Sequence, residues 1–97
     1  MTAMTPRSHI LVVDDDKRIA ASVRRALAYE GYDVSVAYDG PSALAAAGAN
    51  GPDLIVLDVM LPGIDGIEVC RRLRAEGNDA AVLMLTARIE VPDRVIG

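Results

Sequence analysis

At 97 residues the chain has room for one domain, and no stretch approaches the length of a membrane-spanning helix. It is 52% hydrophobic but only 3% aromatic, so its core must be aliphatic and alanine-rich. A net charge of -4 argues against a large nucleic-acid footprint, and a single cysteine, Cys70, excludes an internal disulfide and suits a reducing, cytoplasmic setting.

Residues 1–8 lack the apolar core of a secretory signal and are expected to form a disordered lead. His9 marks the entry to the first strand. Ile10-Leu11-Val12-Val13 then runs straight into Asp14-Asp15-Asp16. A continuous apolar run of this length suits a strand buried on both faces of a parallel sheet, and acids at its C-terminal end lie where open α/β sheets bind ligands. Three adjacent carboxylates repel one another. A divalent cation relieves that repulsion, and hard oxygens suit Mg²⁺.

The next segment, Lys17 to Gly31, has helical periodicity, with Ile19, Val23, Ala26 and Leu27 on one face. Asp15 or Asp16 can cap its start, and Gly31 stands where a C-terminal glycine belongs. Tyr32 to Tyr38 alternates and predicts a half-exposed strand. Asp39-Gly40-Pro41 turns into a short helix, Ser42 to Ala47, which Gly48 to Pro52 should break.

A second buried run, Leu54 to Leu57, ends in Asp58. The loop Pro62 to Gly66 follows, with Asp65 placed to cap a helix from Gly66 to Glu76. Arg71, Arg72 and Arg74 on that helix read as a solvated face, and Cys70 as a core thiol. A third run, Val82 to Leu85, reads as a buried strand and ends in Thr86. Pro92 to Ile96 looks like the first turn of another helix. The β-α-β-α-β-α-β order predicts a doubly wound parallel sheet, which delivers the residues after each strand to one edge.

Three segments together carry a family resemblance: Leu11 to Asp16, Leu57 to Gly66 with its Asp-Val-Met-Leu-Pro-Gly-Ile-Asp-Gly wording, and Leu85-Thr86-Ala87-Arg88. The chain resembles the receiver domain of two-component response regulators over about residues 9–97. The wording is most similar to receivers that precede a winged-helix DNA-binding domain. The resemblance implies a flavodoxin-like fold with strand order 2-1-3-4-5. It implies that Asp58 accepts a phosphoryl group from a sensor histidine kinase. Asp15 would bind Mg²⁺ directly, Asp14 would help hold it through water, the Asp58 carboxylate would share it with the incoming phosphoryl group, and the Met60 backbone carbonyl would complete the protein ligands. Thr86 would hydrogen-bond the aspartyl phosphate. The switched effector would be a DNA-binding domain in the full-length regulator, with no membrane partner.

The family also places a lysine at the end of a fifth strand, usually before a proline. The one lysine here, Lys17, opens the first helix instead. The fifth strand, most of the fourth helix and the fifth helix are missing from these 97 residues, so the expectation is a partial receiver, the first two thirds of the domain. An edge left by the missing strand would favour an oligomer or a domain swap.

Two other readings compete. One is an inert fragment that keeps the fold without the switch. The other is a haloacid-dehalogenase-type phosphatase, with Asp14 as nucleophile and Asp16 as general acid. That reading leaves Asp58 without a role.

Overall fold

The computed structural model describes residues 8–85. Seven elements alternate: β1 (His9–Val13), α1 (Lys17–Tyr29), β2 (Asp33–Ala37), α2 (Gly40–Asn50), β3 (Leu54–Asp58), α3 (Gly66–Ala75) and β4 (Ala81–Leu85). All strand pairs are parallel and their order is β2-β1-β3-β4. This is the flavodoxin-like receiver arrangement. Residues 1–7 of the expected 1–8 lead, Thr86 and the helical turn at Pro92 to Ile96 lie outside the described residues.

The apolar runs explain the layering. Successive strand side chains point to opposite faces of the sheet. On one face Leu11, Val13, Ile55 and Leu57 pack with Ala43 and Ala47 of α2 and with Val69 and Leu73 of α3. On the other, Ile10, Val12 and Val56 pack with Ala20 of α1, flanked by the half-buried Val23 and Leu27. Each fully buried Leu or Ile side chain contributes about 1.5–3 kcal/mol relative to exposure. The strands in the middle of the sheet must therefore be apolar on both faces. The helices supply small or aliphatic side chains that let the layers approach.

Local signals set the helix starts. The Asp16 carboxylate accepts from the N–H groups of Arg18 and Ile19, the Asp39 carboxylate from Ser42, and the Asp65 carboxylate from Glu68. These bonds satisfy amide groups that a helix leaves open at its first turn.

Three expectations need correction. The second helix does not break at Gly48 but continues to Asn50, and Gly51 ends it in the left-handed conformation, with its N–H bonded to the Ala47 carbonyl. Packing of Ala43 and Ala47 against the sheet outweighs one unfavourable glycine on the solvent side. On α1, Ala26 is exposed and Ala20 is the fully buried residue, because the helix turns its 20-23-27 line toward the sheet. Finally, Val82 to Leu85 is a strand but not a buried one: Leu83 is 51% exposed and Met84 and Leu85 are also exposed. Position in the sheet decides this, and an apolar run alone does not reveal whether its strand lies at the centre or the edge. Cys70 is half-buried against the α2–α3 side of the core.

Candidate functional site

The register of the sheet assembles the site. Val13 of β1 pairs with Leu57 of β3, so the residues that follow them, Asp14 and Asp58, leave neighbouring strands at the same level. Asp58 in turn pairs with Leu85 of β4, and the Val59 N–H donates to the Leu85 carbonyl at 3.0 Å. Thr86 is the next residue in sequence and lies outside the described residues.

Asp14, Asp15 and Asp58 each offer a carboxylate oxygen, and the three oxygens lie within 4.8 Å of one another. Asp14 is 7% exposed and Asp58 only 3%, while Asp15 is half-buried. An oxygen-rich cluster of this size matches what a hard divalent cation requires. The donor set fits Mg²⁺: hard oxygens only, too few to replace its whole hydration shell.

Backbone amides hold two of these carboxylates in place. The Asp16 N–H donates to Asp14 Oδ1 at 2.9 Å, and the Met60 N–H donates to Asp58 Oδ1 at 3.0 Å. Each acid is thus aimed by the amide two residues further along, in a tight local turn. Met60 itself has its side chain 52% exposed beside the acid it supports.

The loop from β3 to α3 closes against the site. Gly66 N–H donates to the Val59 carbonyl at 2.9 Å, and a Cβ at Gly66 would fall 2.6 Å from the Asp58 carbonyl oxygen. No side chain fits there, so glycine permits the helix start to lie against the end of β3. The sequence marked Gly66 as the start of a helix. Its approach to Asp58 required the tertiary structure.

A second contact escaped the sequence reading. The Lys17 ammonium sits 5.2 Å from the centre of the Tyr38 ring, at the C-terminal edge of the sheet. The signal was available: Lys17 follows the acid cluster, and Tyr38 ends the second expected strand.

Asp16 takes no place in the cluster, since its carboxylate caps α1. The phosphatase alternative required Asp16 as a general acid and gave Asp58 no role, whereas the geometry brings Asp58, and not Asp16, together with Asp14 and Asp15. The arginines of α3 are engaged locally. Glu68 receives hydrogen bonds from Arg71 and Arg72, which hold its carboxyl down at about 2. Arg74 donates to the carbonyls of Asn78 and Ala80. This agrees with a solvated helix face.

Residues 10–97 match the response regulator receiver domain family, and the chain belongs to it. It is a signalling domain of two-component systems and not a dedicated enzyme. The chain is 52% identical over 88 residues to response regulator MprA of Mycobacterium avium (strain 104), covering 91% of this chain and 39% of that protein. It is 53% identical over 88 residues to MprA of Mycobacterium sp. (strain KMS), covering 91% of this chain and 38% of that one. The chain thus spans about two fifths of the length of the curated relatives it matches.

Among solved structures, the receiver domain of the Francisella response regulator 1452 superposes with a TM-score of 0.80 at 34% identity, covering 93% of this chain and 74% of that one. The response regulator TrrA of Thermotoga maritima, solved in complex with Mg²⁺ and BeF, gives 0.78 at 39% identity, covering 82% and 70%. No helix among the described residues is long and apolar enough to cross a membrane.

Proposed function

We propose that this domain accepts a phosphoryl group on Asp58 from a phosphohistidine of a sensor histidine kinase. The observation that carries the reading is the convergence of Asp14, Asp15 and Asp58 within 4.8 Å at one sheet edge, with Asp58 the most buried. In the transfer, an Asp58 carboxylate oxygen forms the new O–P bond as the P–N bond to the donor imidazole breaks, and the imidazole takes a proton as it leaves. Such a transfer needs an in-line nucleophile and neutralisation of the equatorial oxygens.

The Met60 amide bonded to Asp58 Oδ1 supports the nucleophile's orientation. Asp15 and Asp14 would hold Mg²⁺, with the Met60 carbonyl as a further ligand. When bound, the ion would supply positive charge that offsets the repulsion between the Asp58 carboxylate and the incoming phosphoryl group. Thr86 would donate a hydrogen bond to the aspartyl phosphate; its place directly after Leu85, the register partner of Asp58, supports that role.

The likeness to MprA, of which the chain spans 39%, supports a longer response regulator; the wording of the three receiver segments supports a DNA-binding effector and a cytoplasmic setting for it. The exposed apolar surface of β4 supports self-association of the 97-residue chain.

The test is uptake of label from acetyl phosphate with and without Mg²⁺. Asp58→Asn keeps the shape and removes the nucleophile, and should abolish uptake. Asp15→Ala should abolish the Mg²⁺ dependence. If the unaltered chain takes up no label under any condition, it is an inert fragment with the receiver fold, and the reading is wrong. Label that survives Asp58→Asn would place the acceptor elsewhere.

A further inference from the structure

The sheet edge that carries the acidic cluster also carries a cation, Lys17, that no role above uses. Lys17 opens α1, directly after the Asp16 cap, and its ammonium lies over the Tyr38 ring at 5.2 Å. Tyr38 follows Ala37, which pairs with Val13 just as Leu57 does from the other side. The Asp14 N–H donates to the Ala37 carbonyl at 3.1 Å, which continues that register by one step. Tyr38, Asp14 and Asp58 therefore leave three adjacent parallel strands at one level. With strands about 4.8 Å apart, the backbone of Tyr38 lies about 5 Å from that of Asp14 and about 10 Å from that of Asp58.

The start of α1 is tied to the same place. Asp16 caps the helix with its side chain and donates its own N–H to Asp14. The Lys17 backbone is thus anchored to the pocket, and only its four-carbon stem moves. A cation over an exposed tyrosine ring is favoured by a factor of about two to five, enough to give the ammonium a preferred position while leaving it exchangeable.

We propose that Lys17, placed by Tyr38, sets the charge balance at the mouth of the acidic pocket: it weakens Mg²⁺ binding and speeds approach of the anionic phosphoryl donor. Lys17 is a positioning residue for that encounter and touches no reacting atom in the resting arrangement. The proposal rests on the phosphoacceptor reading for its second half only. A unit charge about 10 Å from a doubly charged ion in water changes an equilibrium or encounter by about two- to fourfold at low salt. The effect should fade above about 0.1 M salt, where the Debye length falls to about 10 Å. Opposite signs for cation and anion distinguish charge from a structural effect, because a distorted pocket would weaken both.

The experiment compares Lys17→Gln with Arg25→Gln in the 97-residue chain. Arg25 carries the same charge eight residues further along α1, about 12 Å along the helix axis. Mg²⁺ affinity is read from amide NMR shifts of Asp14 to Asp16, and donor encounter from the second-order rate of acetyl-phosphate labelling. For Lys17→Gln we expect Mg²⁺ to bind about two- to fourfold tighter and labelling at saturating Mg²⁺ to slow about two- to fourfold. Both changes should shrink at 0.5 M salt, and Arg25→Gln should produce smaller ones. Tyr38→Leu keeps the charge but frees it, and should move both readouts the same way by less. Equal effects of Lys17→Gln and Arg25→Gln, or a loss of Mg²⁺ affinity in Lys17→Gln, would overturn the proposal. An unchanged Tyr38→Leu would remove the ring from it. If the unaltered chain takes no label, the phosphoacceptor reading fails, and the Mg²⁺ comparison alone decides whether Lys17 tunes the pocket.

Discussion

Replacing Gly66 with alanine tests whether the helix start pressed against β3 holds the site together. A Cβ there would fall 2.6 Å from the Asp58 carbonyl oxygen and 2.9 Å from Val59 Cα, whereas ordinary contact begins at 3.4 Å. Both neighbours are backbone, so no flexible side chain can move aside. Either α3 retreats by about half to one ångström or the Asp58–Val59 backbone does. Overpacking of this kind costs about 1–3 kcal/mol, and the better helix propensity of alanine returns at most about 1. A net loss of about 1–2 kcal/mol should lower the urea midpoint by about 1 M, given a slope of about 1–2 kcal/mol/M for a chain of this size. The displaced end of β3 carries Asp58, so Mg²⁺ affinity should fall as well. Gly48→Ala is the matched control. It is also helical, but nothing lies within 4 Å of its added Cβ, so it should stabilise by about 0.5–1 kcal/mol. Equilibrium urea unfolding of both variants, at constant slope, gives the comparison. If Gly66→Ala raises the midpoint as Gly48→Ala does, the β3–α3 loop yields freely, and the close approach has no bearing on the site.

Removing the Asp16 cap by Asp16→Ala should destabilise the fold by about 1 kcal/mol, because two α1 amides lose their acceptor; thermal unfolding with no loss would show that water replaces the carboxylate. Glu68, held at about 2 by Arg71 and Arg72, should titrate far below a free glutamate in a carboxyl NMR titration. Its folded pKa is depressed, so its contribution is present above the unfolded value near 4.5 and fades as pH falls toward 2; on an exposed helix face that contribution is small, and a normal titration would show the ion pairs are transient. Leu83→Lys puts a charge on the exposed apolar surface of β4 and should lower any concentration-dependent increase in sedimentation coefficient. An unaltered association would move the contact away from that strand.

Much of this protein follows from local rules. Ile10 to Val13 and Leu54 to Leu57 are apolar without interruption, which only a strand covered on both faces accommodates, and the alternation with helices then requires a parallel sheet. Asp14, Asp15 and Asp58 stood out because each follows such a strand, and parallel strands share a C-terminal edge. Helix caps were equally local: Asp16 and Asp65 act within three residues of themselves. What tertiary structure alone decided involves neighbours distant in sequence. The α2 helix outran its glycine because Ala43 and Ala47 bury against a sheet that local propensity does not register. The edge position of β4 was expected from the strand order that the resemblance implies, but the degree to which Leu83, Met84 and Leu85 are exposed came only from the packing. The closeness of Gly66 to Asp58 and the stacking of Lys17 on Tyr38 depend on how loops fold back over strand ends. Periodicity tells which side chains share a face; which faces meet, and at what distance, is settled by packing across the whole chain.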